Sequence, residues 1–251
     1  MSDPKLVRSV VLPERPSAFA MVPGTASVAM LTAPSNFFVR LPIDEGEPTI
    51  NRDIFPFIPH QYPAGECLAQ GPDGRLFGSF KGRLFRYHPR NGPKEAFFEY
   101  LGQVPSVYGH LSQARLSAAT FAKGKFIGGT AGGGYLFTTP LKGRPIRPRG
   151  KPTGGTSIHS LVTTEHGSVW GLSASPTGIT RLFQYKPGAG VIRDRGMLAG
   201  HLEPGDRRWL WRAFHGGPML ALGDQRLLIG EQANQAKLVV VNLDSVEGQD
   251  K

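Results

Sequence analysis

Four histidines stand in short segments of aromatic, polar and small residues: His60 in Pro59-His-Gln-Tyr62, His110 in Tyr108-Gly-His110, His159 in Ser157-Ile-His-Ser160 and His215 in Phe214-His-Gly216. Tyr62 and Tyr108 lie beside the first two, Arg115 follows His110, and Trp211 and Arg212 precede His215. Imidazole and phenol exchange protons, and a guanidinium grips a carboxylate through paired hydrogen bonds. Such a set suits proton abstraction next to the carboxylate of a uronate: a base and an acid move protons while a cation stabilises the developing enolate. The expected division of labour gives His110, His159 and Tyr108 the acid and base roles. Arg115 and Arg212 take the carboxylate, with His60, Tyr62, His215 and Trp211 on the rest of the substrate. The competing role for these histidines is structural, as hydrogen-bonding partners of backbone groups between packed sheets.

Other chemistries find less support. Cys67 is the only cysteine, so neither an intramolecular disulfide nor a cysteine-rich zinc site can form. No Gly-x-Ser-x-Gly elbow is present, and Glu66, Glu165, Glu203 and Glu231 show no pairing that would mark a glycosidase. The glycine-rich run Gly128-Gly-Thr-Ala-Gly-Gly-Gly134 lacks the Gly-Lys-Ser/Thr ending of a phosphate loop and reads as a hairpin turn. The histidines have no close metal-binding spacing, so no metal ligands and no cofactor are assigned; the channel of the expected fold leaves room for a structural divalent cation.

Charge points to an anionic partner. The 29 Lys and Arg exceed the 19 Asp and Glu, for a net charge of +10, which concentrates anions near the surface. Lys142-Gly-Arg-Pro-Ile-Arg-Pro-Arg-Gly-Lys-Pro152 gathers five of these cations and reads as a solvated connecting loop. Arg207, Arg208 and Arg212 flank Trp209 and Trp211, a combination that also stacks on sugars or bases.

The elements that would hold these residues are short strands. With 33 Gly and 22 Pro, the chain is punctuated too often for long helices. Gly74-Arg-Leu-Phe-Gly78, Gly124-Lys-Phe-Ile-Gly128 and Gly167-Ser-Val-Trp-Gly171 repeat one pattern. Gly82-Arg-Leu-Phe-Arg-Tyr-His-Pro89 and Thr180-Arg-Leu-Phe-Gln-Tyr-Lys-Pro187 repeat the strand that follows, with Gly134-Tyr-Leu-Phe-Thr-Thr-Pro140 a looser copy. Weaker copies surround Leu31 and Gly230, so the anchors become Leu31, Gly78, Gly128, Gly171 and Gly230. His60 and His110 each stand 18 residues before their anchor.

The expected fold is therefore all-β: a propeller of five recognisable units of four-stranded antiparallel sheet in one domain. The units span 13–58, 59–105, 106–152, 153–200 and 201–245, with 5–12 available to close the last by pairing with Leu238–Leu243.

The GPDG turn at 71–74 and the GRLFRYHP hairpin resemble bacterial propellers of the streptogramin lyase-like and polysaccharide lyase-like kind, best over Gly65–Pro187. The resemblance implies a propeller with His, Tyr and Arg in the roles above, and it implies seven blades where the sequence shows five. The functional expectation is a propeller that binds an acidic carbohydrate at its channel mouth, as a uronate-specific lyase. The alternative is a non-catalytic basic scaffold for an acidic protein or nucleic acid. Neither a secretory leader nor a stretch of roughly 18 apolar residues is found, so a soluble, cytoplasmic protein with no membrane partner is expected.

Overall fold

Alternating apolar residues between glycine-bearing turns form antiparallel meanders, because period-two patterning buries both faces only when sheets stack on one another. The computed structural model describes residues 9–12, 14–33, 37–44, 46–51, 67–80, 82–89, 97–106, 114–143, 145–175, 177–201, 216–223, 225–231 and 238–247.

The first sheet contains β1 (Arg15–Met21), β2 (Ser27–Ala33), β3 (Phe38–Pro42) and β4 (Thr49–Asn51). The second contains β5 (Leu68–Gln70), β6 (Leu76–Phe80), β7 (Arg83–His88) and β8 (Phe97–Gln103). The third has β9 (Arg115–Ala122), β10 (Lys125–Ala131), β11 (Leu136–Pro140) and β12 (Arg147–Gly150). The fourth has β13 (Ser157–Thr163), β14 (Val169–Ala174), β15 (Thr180–Lys186) and β16 (Val191–Met197). The fifth has three strands among the described residues, β17 (Gly216–Leu222), β18 (Arg226–Glu231) and β19 (Leu238–Asn242), followed by the short helix α1 (Leu243–Glu247). A single bridge between Ala131 and Ser157 links the third sheet to the fourth.

Among the described residues four hydrophobic clusters form, one between each pair of consecutive sheets. Leu31 and Phe38 meet Leu76 and Phe85; Phe77 and Leu84 meet Leu116 and Phe126; Ile127 and Leu136 meet Ile158 and Phe183; Trp170 and Leu182 meet Leu227 and Ile229. The first strands β1, β5, β9, β13 and β17 neighbour one another in that order. Sheets stacked face to face about their first strands are the propeller arrangement.

The glycine signature has a packing cause. Across the strand pairs Gly78 faces Phe85, Gly128 faces Phe137 and Gly171 faces Phe183. A Cβ on these glycines would lie 2.7, 2.3 and 2.2 Å from the tip of that ring, so the phenylalanine fills the space of the missing side chain.

The anchors expected at the two ends lie on the opposite face. Leu31 packs toward the following sheet, whereas the three glycines face the preceding one. Gly230 alternates with Ile229, which packs on the fourth sheet. The same-face pairs in the end units are Met30 with Val39 and Ile229 with Val239. No phenylalanine covers the position there, so no glycine is required.

The outer faces of the end sheets expose apolar side chains. Phe19 is 74% exposed on the first sheet, and Leu220, Leu238 and Val240 are 60%, 73% and 53% exposed on the fifth. The expected pairing of residues 5–12 with β19 falls largely on residues outside the described set. Residues 9–12 are described without strand pairing, and Val11 is 95% exposed. No helix among the described residues is long and apolar enough to cross a membrane.

Candidate functional site

The first strands surround a central cavity of about 980 Å³. All five sheets contribute: Pro16–Phe19 from β1, Cys67 and Leu68 at the start of β5, Arg115 and Ser117 from β9, Ser157 and His159 from β13, and Pro218 from β17.

β-Bulges aim several of these side chains. In β1, Pro16 pairs with Thr32 and Ala18 with Leu31, leaving Ser17 as the extra residue. In β9, Leu116 pairs with Thr130 and Ala118 with Gly129, leaving Ser117. In β13, Ile158 pairs with Ser173 and Ser160 with Leu172, leaving His159. The fifth sheet repeats the irregularity at Gly217–Pro218, between the pairs Gly216–Glu231 and Met219–Ile229. A bulged residue leaves the strict in-and-out alternation and can be re-aimed. Ser17, Ser117, His159 and Pro218 all line the cavity.

Of the nine candidates drawn from the sequence, Arg115 and His159 are described, and both line this cavity. His60, Tyr62, Tyr108, His110, Trp211, Arg212 and His215 lie outside the described residues. Arg115 is half-buried and His159 exposed, with Ser117 and Ser157 beside them on the same two strands. No carboxylate is found among the described residues that line the cavity. Burial pushes the Cys67 thiol up to about 12, so this wall of the cavity presents a neutral thiol and not a nucleophilic thiolate near neutral pH.

The two strands that carry Arg115 and His159 are stitched together. The Ser117 hydroxyl donates to the Ile158 carbonyl at 2.6 Å, and the Thr163 hydroxyl donates to the Phe121 carbonyl at 2.9 Å. Thr120 and Thr163 hydroxyls lie 2.9 Å apart. Glycines permit the approach: a Cβ on Gly129 would lie 2.5 Å from the Ile158 side chain, and one on Gly134 would lie 2.3 Å from the Gly155 carbonyl oxygen. Gly128–Ala131 belongs to β10, so the expected hairpin turn is confined to the end of the run at Gly132–Gly134, where the Gly133 amide donates to the Thr156 carbonyl at 2.8 Å.

Other sequence features settle elsewhere. Arg147–Gly150 of the basic segment forms the outer strand β12, where Arg147 is exposed and Arg149 donates to Thr138 Oγ1 at 3.1 Å. Edge strands tolerate the intervening proline, Pro148. Glu165 is exposed in a turn, and Glu231 ends β18. Among the described residues, no three metal-ligating side chains cluster.

One ionic cluster is invisible in the pattern of any single strand. Arg86, only 3% exposed, donates through Nε and Nη2 to Glu99 Oε2 at 3.0 and 2.6 Å and also to the Leu141 carbonyl of the third unit. His88 Nε2 lies 3.0 Å from the same carboxylate oxygen, and the ring stacks on Phe97 at 4.2 Å. Burial raises the proton affinity of Glu99, but hydrogen bonds from Arg86 and His88 outweigh it and hold the carboxyl below its ordinary value. Burial likewise depresses His88, against the opposing pull of Glu99. Arg86 and His88 are visible within the GRLFRYHP repeat, yet Glu99 lies on the neighbouring strand and only the β7–β8 register brings it opposite.

No protein-family model matches the chain, and no curated protein matches it. Solved structures do match in fold. The extracellular domain of BT4673 from Bacteroides thetaiotaomicron aligns with a TM-score of 0.62 at 14% identity, over 93% of this chain and 28% of that one. YCF48 bound to D1 peptide aligns at 0.55 and 14% identity, over 94% and 67%. The β-propeller domain of Cps50 (Swd1) from Myceliophteria thermophila aligns at 0.54 and 10% identity, over 90% and 69%. The chain thus spans about a quarter of the first of these and two thirds of the others. At such identities the likeness establishes the propeller fold.

Proposed function

We propose that the central cavity binds an acidic carbohydrate, with Arg115 on a carboxylate and His159 and Ser157 toward neighbouring hydroxyls. The observation that carries this reading is that Arg115 and His159, from different sheets, line one cavity free of carboxylates among its described lining residues. A guanidinium supplies the paired donors a carboxylate accepts, and small hydroxyl side chains suit a polyhydroxylated ring. The size of the cavity falls within the range of small-ligand sites.

Elimination across a uronate linkage is the chemistry this site would support. His159 would act as one proton-transfer group, and His110 or Tyr108, which precede β9 in the chain, would supply the other. Calorimetry with a galacturonate or glucuronate oligomer, beside a neutral oligosaccharide of the same length, tests the binding. Binding of the acidic oligomer alone is the expected result; equal or absent binding of both would overturn it. Ultraviolet absorbance of an unsaturated product, followed in the same mixtures, tests the elimination step. A basic scaffold for nucleic acid would instead bind DNA with a steep salt dependence that Arg147→Ala and Arg149→Ala reduce and Arg115→Ala leaves unchanged.

A further inference from the structure

We infer that Ser117 is a positioning residue for His159: its hydroxyl, reaching from the third sheet, fixes the backbone of the bulge that aims the imidazole into the cavity. The inference deepens the reading of the cavity as a carbohydrate site and takes from it the use of His159 in binding.

The geometry is specific to this pair. A serine hydroxyl has one proton to donate. Ile158 O lies 2.6 Å from Ser117 Oγ and Gly129 O, within the same sheet, lies 3.3 Å away, so the proton points across to the fourth sheet. Ile158 is the residue immediately before His159, and its own pairing with Ser173 marks the last regular step before the ladder skips His159. A bulge leaves its extra residue outside the ladder, so the ladder does not dictate the direction of the imidazole. The Ser117 bond adds a constraint from the neighbouring sheet, at the residue immediately before His159. Ser117 is itself the extra residue of the bulge in β9. Two bulges therefore face one another across the sheet interface, one of them holding the other. Gly129 allows this approach, since any side chain there would strike Ile158.

A purely structural hydroxyl at the same interface provides the control. Thr163 bonds the Phe121 carbonyl at 2.9 Å, joins the same two sheets, and is absent from the cavity lining.

The test uses the full chain and compares Ser117→Ala, Ser117→Thr and Thr163→Ala. The imidazole resonance of His159 is identified by its loss in His159→Ala, and calorimetry measures binding of a trigalacturonate probe. The expected results are a displaced or broadened His159 resonance and about fivefold to tenfold weaker binding in Ser117→Ala, with both restored by Ser117→Thr, which keeps the donor. Thr163→Ala should lower the melting temperature while leaving the resonance and affinity within twofold of the parent. An unmoved resonance in Ser117→Ala, or equal effects of Thr163→Ala on the resonance, would overturn the inference. If Ser117→Ala does not fold, Ser117→Cys is read by the same two criteria. A parent protein that does not bind the uronate would overturn the proposed function alone, because the resonance still decides whether Ser117 holds His159.

Discussion

The interface between the third and fourth sheets and the outer faces of the first and fifth sheets use similar apolar residues in opposite ways. At the middle interface Ile127, Leu136, Ile158 and Phe183 are fully buried, and hydroxyls stitch the inner strands across it. On the outer faces Phe19, Leu220 and Leu238 stand in solvent, although Met30 and Val39 on the face of Phe19 are buried. Glycine explains much of the contrast: Gly129 and Gly171 let strands and rings close on one another at this interface. The first sheet has Met30 and Val39 in the position of a Gly–Phe pair. Close packing and the candidate site therefore share one part of the ring, because the strands that approach most closely are those that carry Arg115 and His159.

The largest expected effect tests the Gly–Phe pairs. Gly171→Ala forces a Cβ into the Phe183 ring and should cost about 3 kcal/mol by overpacking, read from chemical denaturation. Gly230→Ala, whose Cβ would lie no closer than 3.5 Å to any neighbour, should cost under about 0.5 kcal/mol. Equal costs would erase the distinction between middle and end units.

A second effect, of about 2 kcal/mol, is expected of Glu99→Ala, which leaves the buried Arg86 guanidinium with the Leu141 carbonyl but without a countercharge; Glu99 is partly exposed, so the cost falls below that of a fully buried pair. The same cluster sets a pH dependence. His88 and Glu99 both have folded-state values below their ordinary 6.5 and 4.5, so the folded protein binds fewer protons than the unfolded chain. Their contribution is complete above pH 6.5 and is lost on acidification, first through His88 and then, below 4.5, through Glu99. Melting temperature should fall over that range, with the lower segment flattened in Glu99→Ala.

The smallest effect belongs to the exposed faces. Phe19→Ser and Leu220→Ser should change stability by no more than about 0.5 kcal/mol, because these side chains are already in water. A loss near that of Gly171→Ala would mean that the outer faces are packed in solution, and the comparison would fail.

The sequence disclosed the middle of the fold more readily than its ends. Gly78, Gly128 and Gly171 recur because each must sit beneath a phenylalanine, and that requirement writes a pattern into the chain. Met30 and Ile229 occupy the same position without a ring above them, so the pattern fades, and the neighbouring Leu31 and Gly230 lie on the opposite face. At the site, residue type singled out Arg115 and His159, but nothing in their spacing revealed the bulges that turn Ser117 and His159 inward. Bulges depend on the count of residues between two paired positions on different strands, which a single strand does not display. The Arg86–Glu99–His88 cluster was hidden for the same reason, since its members meet only through cross-strand register.

The most direct test of the central claim is calorimetric titration of a trigalacturonate into the parent chain and into Arg115→Ala at low salt. The expected result is saturable binding by the parent, weakened at least tenfold in Arg115→Ala without loss of the cooperative thermal transition. Undiminished binding by the folded Arg115→Ala variant would contradict it.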